Sequence, residues 1–203
     1  MGTQARIVAL AVYQLKNGGY EELHFGAIAS ALGITRANIH HHFSSKDNLA
    51  QLALEEFIED RLCRLQAMIE RYPSDFPSAL NSIGEYLQKL QSDHPGEGLC
   101  ACSALLLNNT GVPPSLKEVS QDYFKELSVL FQATIEKSQQ AGTVEESVNA
   151  QDLAWECVLL MMGLGIFSGS LGVHELAHHP APRLLRNKAR EIGAFSQDFL
   201  RAG

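Results

Sequence analysis

Apolar residues recur at three- and four-residue spacing along almost the whole chain, and no stretch alternates with the period of two that a strand requires. Ile7, Leu10, Ala11 and Leu15 share one face of a first predicted helix, opened by Thr3 as N-cap and reaching about Lys16. Asn17-Gly18-Gly19 stops it, and Tyr20 and Leu23 are placed to pack under the next two helices. Phe25, Ile28, Ala29 and Leu32 make the inner face of a short second helix. Gly33 supplies the open backbone of a sharp turn, with Ile34 as a buried plug. Thr35 is a suitable N-cap for a third helix running to about His42. Ile39 and Phe43 then point inward, and Arg36, Ala37, Asn38, His40 and His41 point outward.

The remainder keeps the helical period. Ser44 and Asp47 are spaced as a capping box for a long fourth helix, whose stripe of Leu54, Ile58, Leu62, Leu65 and Ile69 ends at Tyr72-Pro73. Phe76, Leu80, Ile83, Leu87 and Leu90 line a fifth helix that stops between Ser92 and Gly96. A short apolar helix spans Leu99 to Leu107. Pro113-Pro114 start a seventh, lined by Leu116, Val119, Tyr123, Leu127, Leu130 and Thr134 as far as Ala141-Gly142. Asn149 caps a helix through about Phe167 that is apolar on nearly every face, which predicts deep burial or an interface. Leu184 to Leu200 reads as a final helix after a loop-like stretch from Ser168 to Pro182. The expected fold is all-α.

Composition narrows the class. An apolar fraction of 45% with 19% charged residues over 203 positions fits a globular protein with a sizeable core and excludes a disordered, charge-rich chain. The longest apolar run, Cys157 to Phe167, falls short of the roughly 18 residues a membrane span needs, and Gln14 and Lys16 break any resemblance to a leader. A cytoplasmic protein without membrane association is expected. Four cysteines (Cys63, Cys100, Cys102, Cys157) then read as reduced thiols.

The net charge of −7 is unevenly distributed. Through Asp47 the basic residues Arg6, Lys16, Arg36 and Lys46 face Glu21, Glu22 and Asp47, a balance of +1, so the remainder carries −8. A slightly basic head on an acidic body suits binding to nucleic acid through specific contacts and dimerisation more than through bulk charge.

Two short helices joined by a glycine turn are the helix-turn-helix plan, in which the second helix enters the DNA major groove. The outward residues have the chemistry for it: Arg pairs with guanine or phosphate, Asn with adenine, and Ala meets a thymine methyl. Gly19-Tyr20, Ile28-Ala29, Gly33-Ile34-Thr35 and Ile39-His40-His41-His42-Phe43-Ser44-Ser45-Lys46 with Leu49 resemble the N-terminal signature of the TetR family of bacterial transcription regulators. The resemblance covers about the first fifty residues. In its light Ala37, His40 and His24 stand where the family usually has Gly, Tyr and Ser or Thr.

The resemblance implies a DNA-binding domain over residues 1–47 and a helical effector-binding and dimerisation domain over 48–203. DNA contacts fall to His24, Thr35, Arg36, Ala37, Asn38, His40, His41 and Lys46, with Thr35 and Lys46 on phosphates and Arg36 and Asn38 reading bases. The partner is a palindromic double-stranded operator bound by a homodimer. The last two helices would pair across the two-fold axis, through Leu153, Leu160, Leu164, Phe167, Leu184, Ile192, Phe195 and Phe199. A small-molecule effector, expected to be apolar because charged clusters are lacking, would sit among Phe76, Tyr86, Cys102, Leu105, Tyr123, Phe131, Trp155, Met161 and Met162. Its binding would release a repressor from DNA. No cofactor, metal or catalytic residue is expected.

Two motifs suggest other chemistry. Cys100-Ala101-Cys102 could be a thiol sensor replacing a small-molecule ligand, against the plainer reading of two small core residues. His174-Glu175-Leu176-Ala177-His178 satisfies the H-E-x-x-H pattern of zinc hydrolases, but Gly172 and Pro180 leave about two helical turns and no glycine-histidine extension follows. Adventitious zinc or nickel binding through His174, His178 and His179 is the more reasonable metal chemistry there. The His40–His42 run cannot converge on one ion, because successive helical residues diverge by about 100°.

Overall fold

The computed structural model describes residues 2–94, 100–107, 111–170 and 188–192, with side chains left out for 164–170. The described residues contain eight α-helices and no strand: α1 (Thr3–Gly18), α2 (Phe25–Leu32), α3 (Arg36–His42), α4 (Lys46–Glu70), α5 (Phe76–Asp93), α6 (Ala101–Leu107), α7 (Pro114–Gln140) and α8 (Ala150–Ser170). Residues 188–192 are also helical. They lie in the predicted terminal helix, most of which falls outside the described residues, as do the H-E-x-x-H motif and Leu184, Phe195 and Phe199. Among the described residues no helix is long and apolar enough to cross a membrane.

The chain forms two compact units. The first comprises Met1–Asp60, Glu97–Tyr123 and Gly165–Gly172; the second comprises Arg61–Gly96, Phe124–Leu164 and Val173–Gly203.

In the first unit, α1 packs on α2, α3 and α6. Ile7, Ala11, Leu15, Leu23, Ile28, Ile39, Phe43, Leu49 and Leu54 are fully buried, so three short helices share one apolar centre. Val8 joins the buried face of α1, and Leu10 is only half-buried. Helix α1 begins at the expected cap, one residue earlier than predicted. Gly2 is the extended N-cap residue and Thr3 is already helical, with no side-chain cap bond. At the other end Gly18 stays helical. Gly19, at φ 69°, ends the helix by donating its N–H to the Leu15 carbonyl.

The second unit is built on α5, the later part of α7 and α8. The Phe76 and Phe131 rings meet edge-on with centroids 5.6 Å apart. The start of α5 is fixed twice. Asp75 caps it by accepting from the Ser78 N–H at 3.0 Å, and the Phe76 N–H donates to Ser138 Oγ at 2.9 Å. Arg61 is buried with its guanidinium carbon 5.6 Å from the Tyr86 ring centroid. That arginine interrupts the apolar stripe expected along α4. The buried positions of α4 are Leu49, Ala50, Ala53, Leu54, Phe57, Arg61, Leu65 and Ile69, with Ile58 and Leu62 half-buried.

Helix α8 does not bury all its faces. Asn149 caps it as expected, its Oδ1 accepting from the N–H groups of Gln151 and Asp152 at 3.0 and 3.1 Å. Leu153, Ala154, Cys157, Val158 and Met161 are buried, whereas Trp155 is 36% and Leu159 is 55% exposed. Lys188 bridges to Glu156 of α8 at 2.7 Å.

Candidate nucleic-acid interface

The turn between α2 and α3 forms as its residues dictate. Gly33 lies in the left-handed region (φ 65°, ψ 34°), and its N–H reaches back to the carbonyls of Ala29 and Ser30. A side chain there would carry the strain of a left-handed residue, so glycine fits. Thr35 is extended and its Oγ1 accepts from the Asn38 N–H at 3.2 Å, capping α3. Ile39 and Phe43 are fully buried and anchor the helix from beneath. Ile34 is only half-buried, so the turn is held more by Ile39 than by the expected plug.

What α3 leaves outside is a row of polar and small side chains. Arg36, Ala37, Asn38, His40, His41 and His42 are all exposed, as are His24 and Thr35. The exposed His42 lies edge-on to His41, with centroids 5.5 Å apart. The His40 ring meets Phe25 edge-on at 4.9 Å, which ties the recognition face to α2. Arg36 folds back over α2 as well: a Cβ on Gly26 would collide with its guanidinium. The absence of a side chain at Gly26 therefore makes the seat for Arg36.

A second cluster forms where α4 begins. Ser45, not Ser44, supplies the cap, its Oγ accepting from the Asn48 N–H at 3.1 Å. Asp47 takes no part in a capping box because its carboxylate accepts the hydroxyl proton of Tyr20. Lys46 stands 4.3 Å above the centroid of the Tyr20 ring and donates to the Glu21 carbonyl at 3.4 Å. Burial, followed by the bond to Asp47 and its negative charge, holds the Tyr20 phenol far above its usual range. Sequence reasoning assigned Lys46 to a phosphate but missed Tyr20, Glu21 and Gly26 around the two basic residues. In the sequence, Tyr20 shows only as a packing residue and as part of the Gly19-Tyr20 resemblance.

The expected effector residues divide between the units: Cys102, Leu105 and Tyr123 belong to the first, and Phe76, Tyr86, Phe131, Trp155, Met161 and Met162 to the second. Cys102, Leu105, Tyr123, Phe76, Phe131 and Met161 are buried, while Tyr86 and Met162 are half-buried. Of the expected interface residues, Leu153 and Ile192 are buried within the chain and Leu160 is half-buried. Leu164 and Phe167 lie where only the backbone of α8 is described. The four cysteines form no disulfide, with Cys63 exposed and the others buried. Burial pushes the Cys157 thiol up to about 12. Among the described residues no group of His, Cys, Asp or Glu is arranged to hold a metal ion.

A capped recognition helix with an exposed polar row, set by a left-handed glycine turn on a three-helix core, defines a helix-turn-helix DNA-binding domain. Residues 7–53 match the model of the bacterial regulatory proteins of the tetR family. Residues 7–53 thus form that family's N-terminal DNA-binding domain. A search of the curated proteins finds no match.

Solved structures extend the likeness of fold to nearly the full chain. A TetR-family transcriptional regulator from Agrobacterium tumefaciens superposes with a TM-score of 0.78 at 22% identity, covering 91% of this chain and 96% of its own. A TetR regulator from Legionella pneumophila gives 0.76 at 19% identity, covering 93% and 97%. The TetR-family regulator CifR, as a cysteine mutant in complex with 26 bp double-strand operator DNA, gives 0.74 at 18% identity, covering 92% and 96%.

Proposed function

We propose that the protein is a homodimeric repressor that places α3 in the major groove of a palindromic operator and leaves DNA when a small molecule binds its C-terminal helices. The observation that carries this reading is the exposed polar row on a capped, core-anchored α3, of which only Arg36 and His40 also touch α2. Arg36 and Asn38 read base edges, Ala37 lies against a thymine methyl, and His24, His40 and His41 contact the backbone or a base edge. Thr35 and Lys46, at the starts of α3 and α4, meet phosphates.

Residues 1–47 then carry recognition, and 48–203 carry dimerisation and effector binding. The compact units follow a different cut, because packing joins α6 to α1 whereas the division of roles follows the chain. Dimerisation rests on α8. Trp155 and Leu159 are one helical turn apart and exposed, so an apolar partner surface would remove both from water at a gain of about 25 cal/mol per Å². Leu153 and Ile192, expected at the interface, are already buried in the protomer.

Release follows from population shift. An apolar effector that binds one conformation better favours it, and a dimer whose recognition helices no longer match grooves ~34 Å apart lets go of DNA. A gel shift on the DNA upstream of the protein's own gene, over a range of salt, tests the reading. Saturable binding of two protomers to a palindrome supports it. Binding no tighter than to unrelated DNA, there and on a random-sequence library, overturns it.

A further inference from the structure

We infer that Tyr20 is a positioning residue for DNA binding, holding the Lys46 ammonium over its ring so that the lysine meets the phosphate already ordered. The inference rests on the reading of Lys46 as a phosphate contact. The geometry has three parts. The ammonium lies 4.3 Å from the Tyr20 centroid, within the range of a cation–π attraction. One N–H is donated to the Glu21 carbonyl at 3.4 Å. The Tyr20 hydroxyl donates to Asp47, the residue next to Lys46, which fixes the ring against the first turn of α4.

A free lysine is a flexible stem with three N–H donors, and binding a phosphate would normally cost the freedom of that stem. Here the ring and the carbonyl restrain it beforehand, and donors remain for an incoming anion. Asp47 also orients the ring and, by accepting its proton, increases the electron density that the ammonium meets. Neither partner competes with phosphate as a charged group at contact distance would. The ring therefore orders Lys46 without neutralising it.

The test is a double-mutant cycle on the full chain, read as operator affinity across a salt series. Lys46→Met is expected to weaken binding and reduce the salt slope by about one. Tyr20→Leu should weaken binding about 5-fold with Lys46 present and leave it unchanged within about 1.5-fold in the Lys46→Met background. Tyr20→Phe keeps the ring and should retain nearly full affinity. In the free protein, the Lys46 ε-methylene protons should show a ring-current shift that survives Tyr20→Phe and disappears in Tyr20→Leu. Where Tyr20→Leu fails to fold, Tyr20→Met serves in its place. An equal loss from removing the ring in both backgrounds overturns the positioning role. If Lys46→Met leaves affinity and salt slope unchanged, the phosphate contact falls and the inference with it, whatever the methylene protons show.

Discussion

The carboxylate of Glu21 rests directly on the backbone of Gly111: a Cβ added there would overlap Glu21 Oε1. Gly111 also has φ 72°, in the left-handed region. Two requirements, one conformational and one steric, meet at a single glycine between α6 and α7. Glu21 is also the residue whose carbonyl accepts from Lys46, so this contact lies one residue's length from a proposed phosphate ligand.

Gly111→Ala should therefore lower stability by about 1–2 kcal/mol from backbone strain, with at most a small further loss from moving the exposed, flexible Glu21 side chain. Urea denaturation in wild-type and Glu21→Ala backgrounds separates the two. The backbone part persists in both, and the steric part disappears when Glu21 is truncated. Equal losses in both backgrounds would show that the Glu21 contact adds nothing.

Thr35→Ala removes the side-chain acceptor that caps α3 and should cost about 1 kcal/mol, while Thr35→Ser should keep most of it. Thermal denaturation checks the stability, and operator binding checks the hydroxyl. The alanine variant loses both cap and phosphate contact; the serine variant keeps both.

Gly26→Ala separates stability from recognition. Alanine within α2 should gain roughly 0.5–1 kcal/mol of helix propensity, yet it evicts the Arg36 guanidinium from its seat. The expected outcome is a higher melting temperature together with altered preference at the base position that Arg36→Ala also relaxes. A stabilised variant with wild-type base preference would detach Gly26 from readout.

Cys157 makes stability fall with rising pH. Its folded value, near 12, lies above the ordinary 9.0, so its contribution is complete below pH 9 and is lost as pH rises toward 12. Denaturation midpoints in that window should drop less for Cys157→Ala than for the wild type. At pH 8 a maleimide should modify exposed Cys63 in the folded protein and leave Cys157 untouched until it unfolds.

Much of the fold was readable from the sequence because it rests on local chemistry. The left-handed turn at Gly33, the Thr35 and Asn149 caps, and the burial of Ile39 and Phe43 each depend on a residue type at one position. The unreadable part depends on side chains meeting across the chain. Ser45 displaced Ser44 as the α4 cap because Asp47 was already engaged by a tyrosine 27 positions away. Arg61 broke an apolar stripe because it lies against Tyr86 on another helix. The all-apolar pattern of α8 predicts burial or an interface without telling which face stays exposed, so the exposure of Trp155 and Leu159 is visible only in the structure. The seat of Arg36 on Gly26 had no signal at all, since an absent side chain is legible only once its neighbour is placed.

The central claim is that α3 reads DNA as part of a two-fold dimer. In vitro selection from a random double-stranded library, with the full-length protein at near-physiological salt, tests it most directly. The account predicts enrichment of a palindrome whose half-sites are centred about one helical turn apart, bound by two protomers, with Arg36→Ala relaxing one position in each half. A pool that stays random after successive rounds, from folded dimeric protein free of effector, would contradict it.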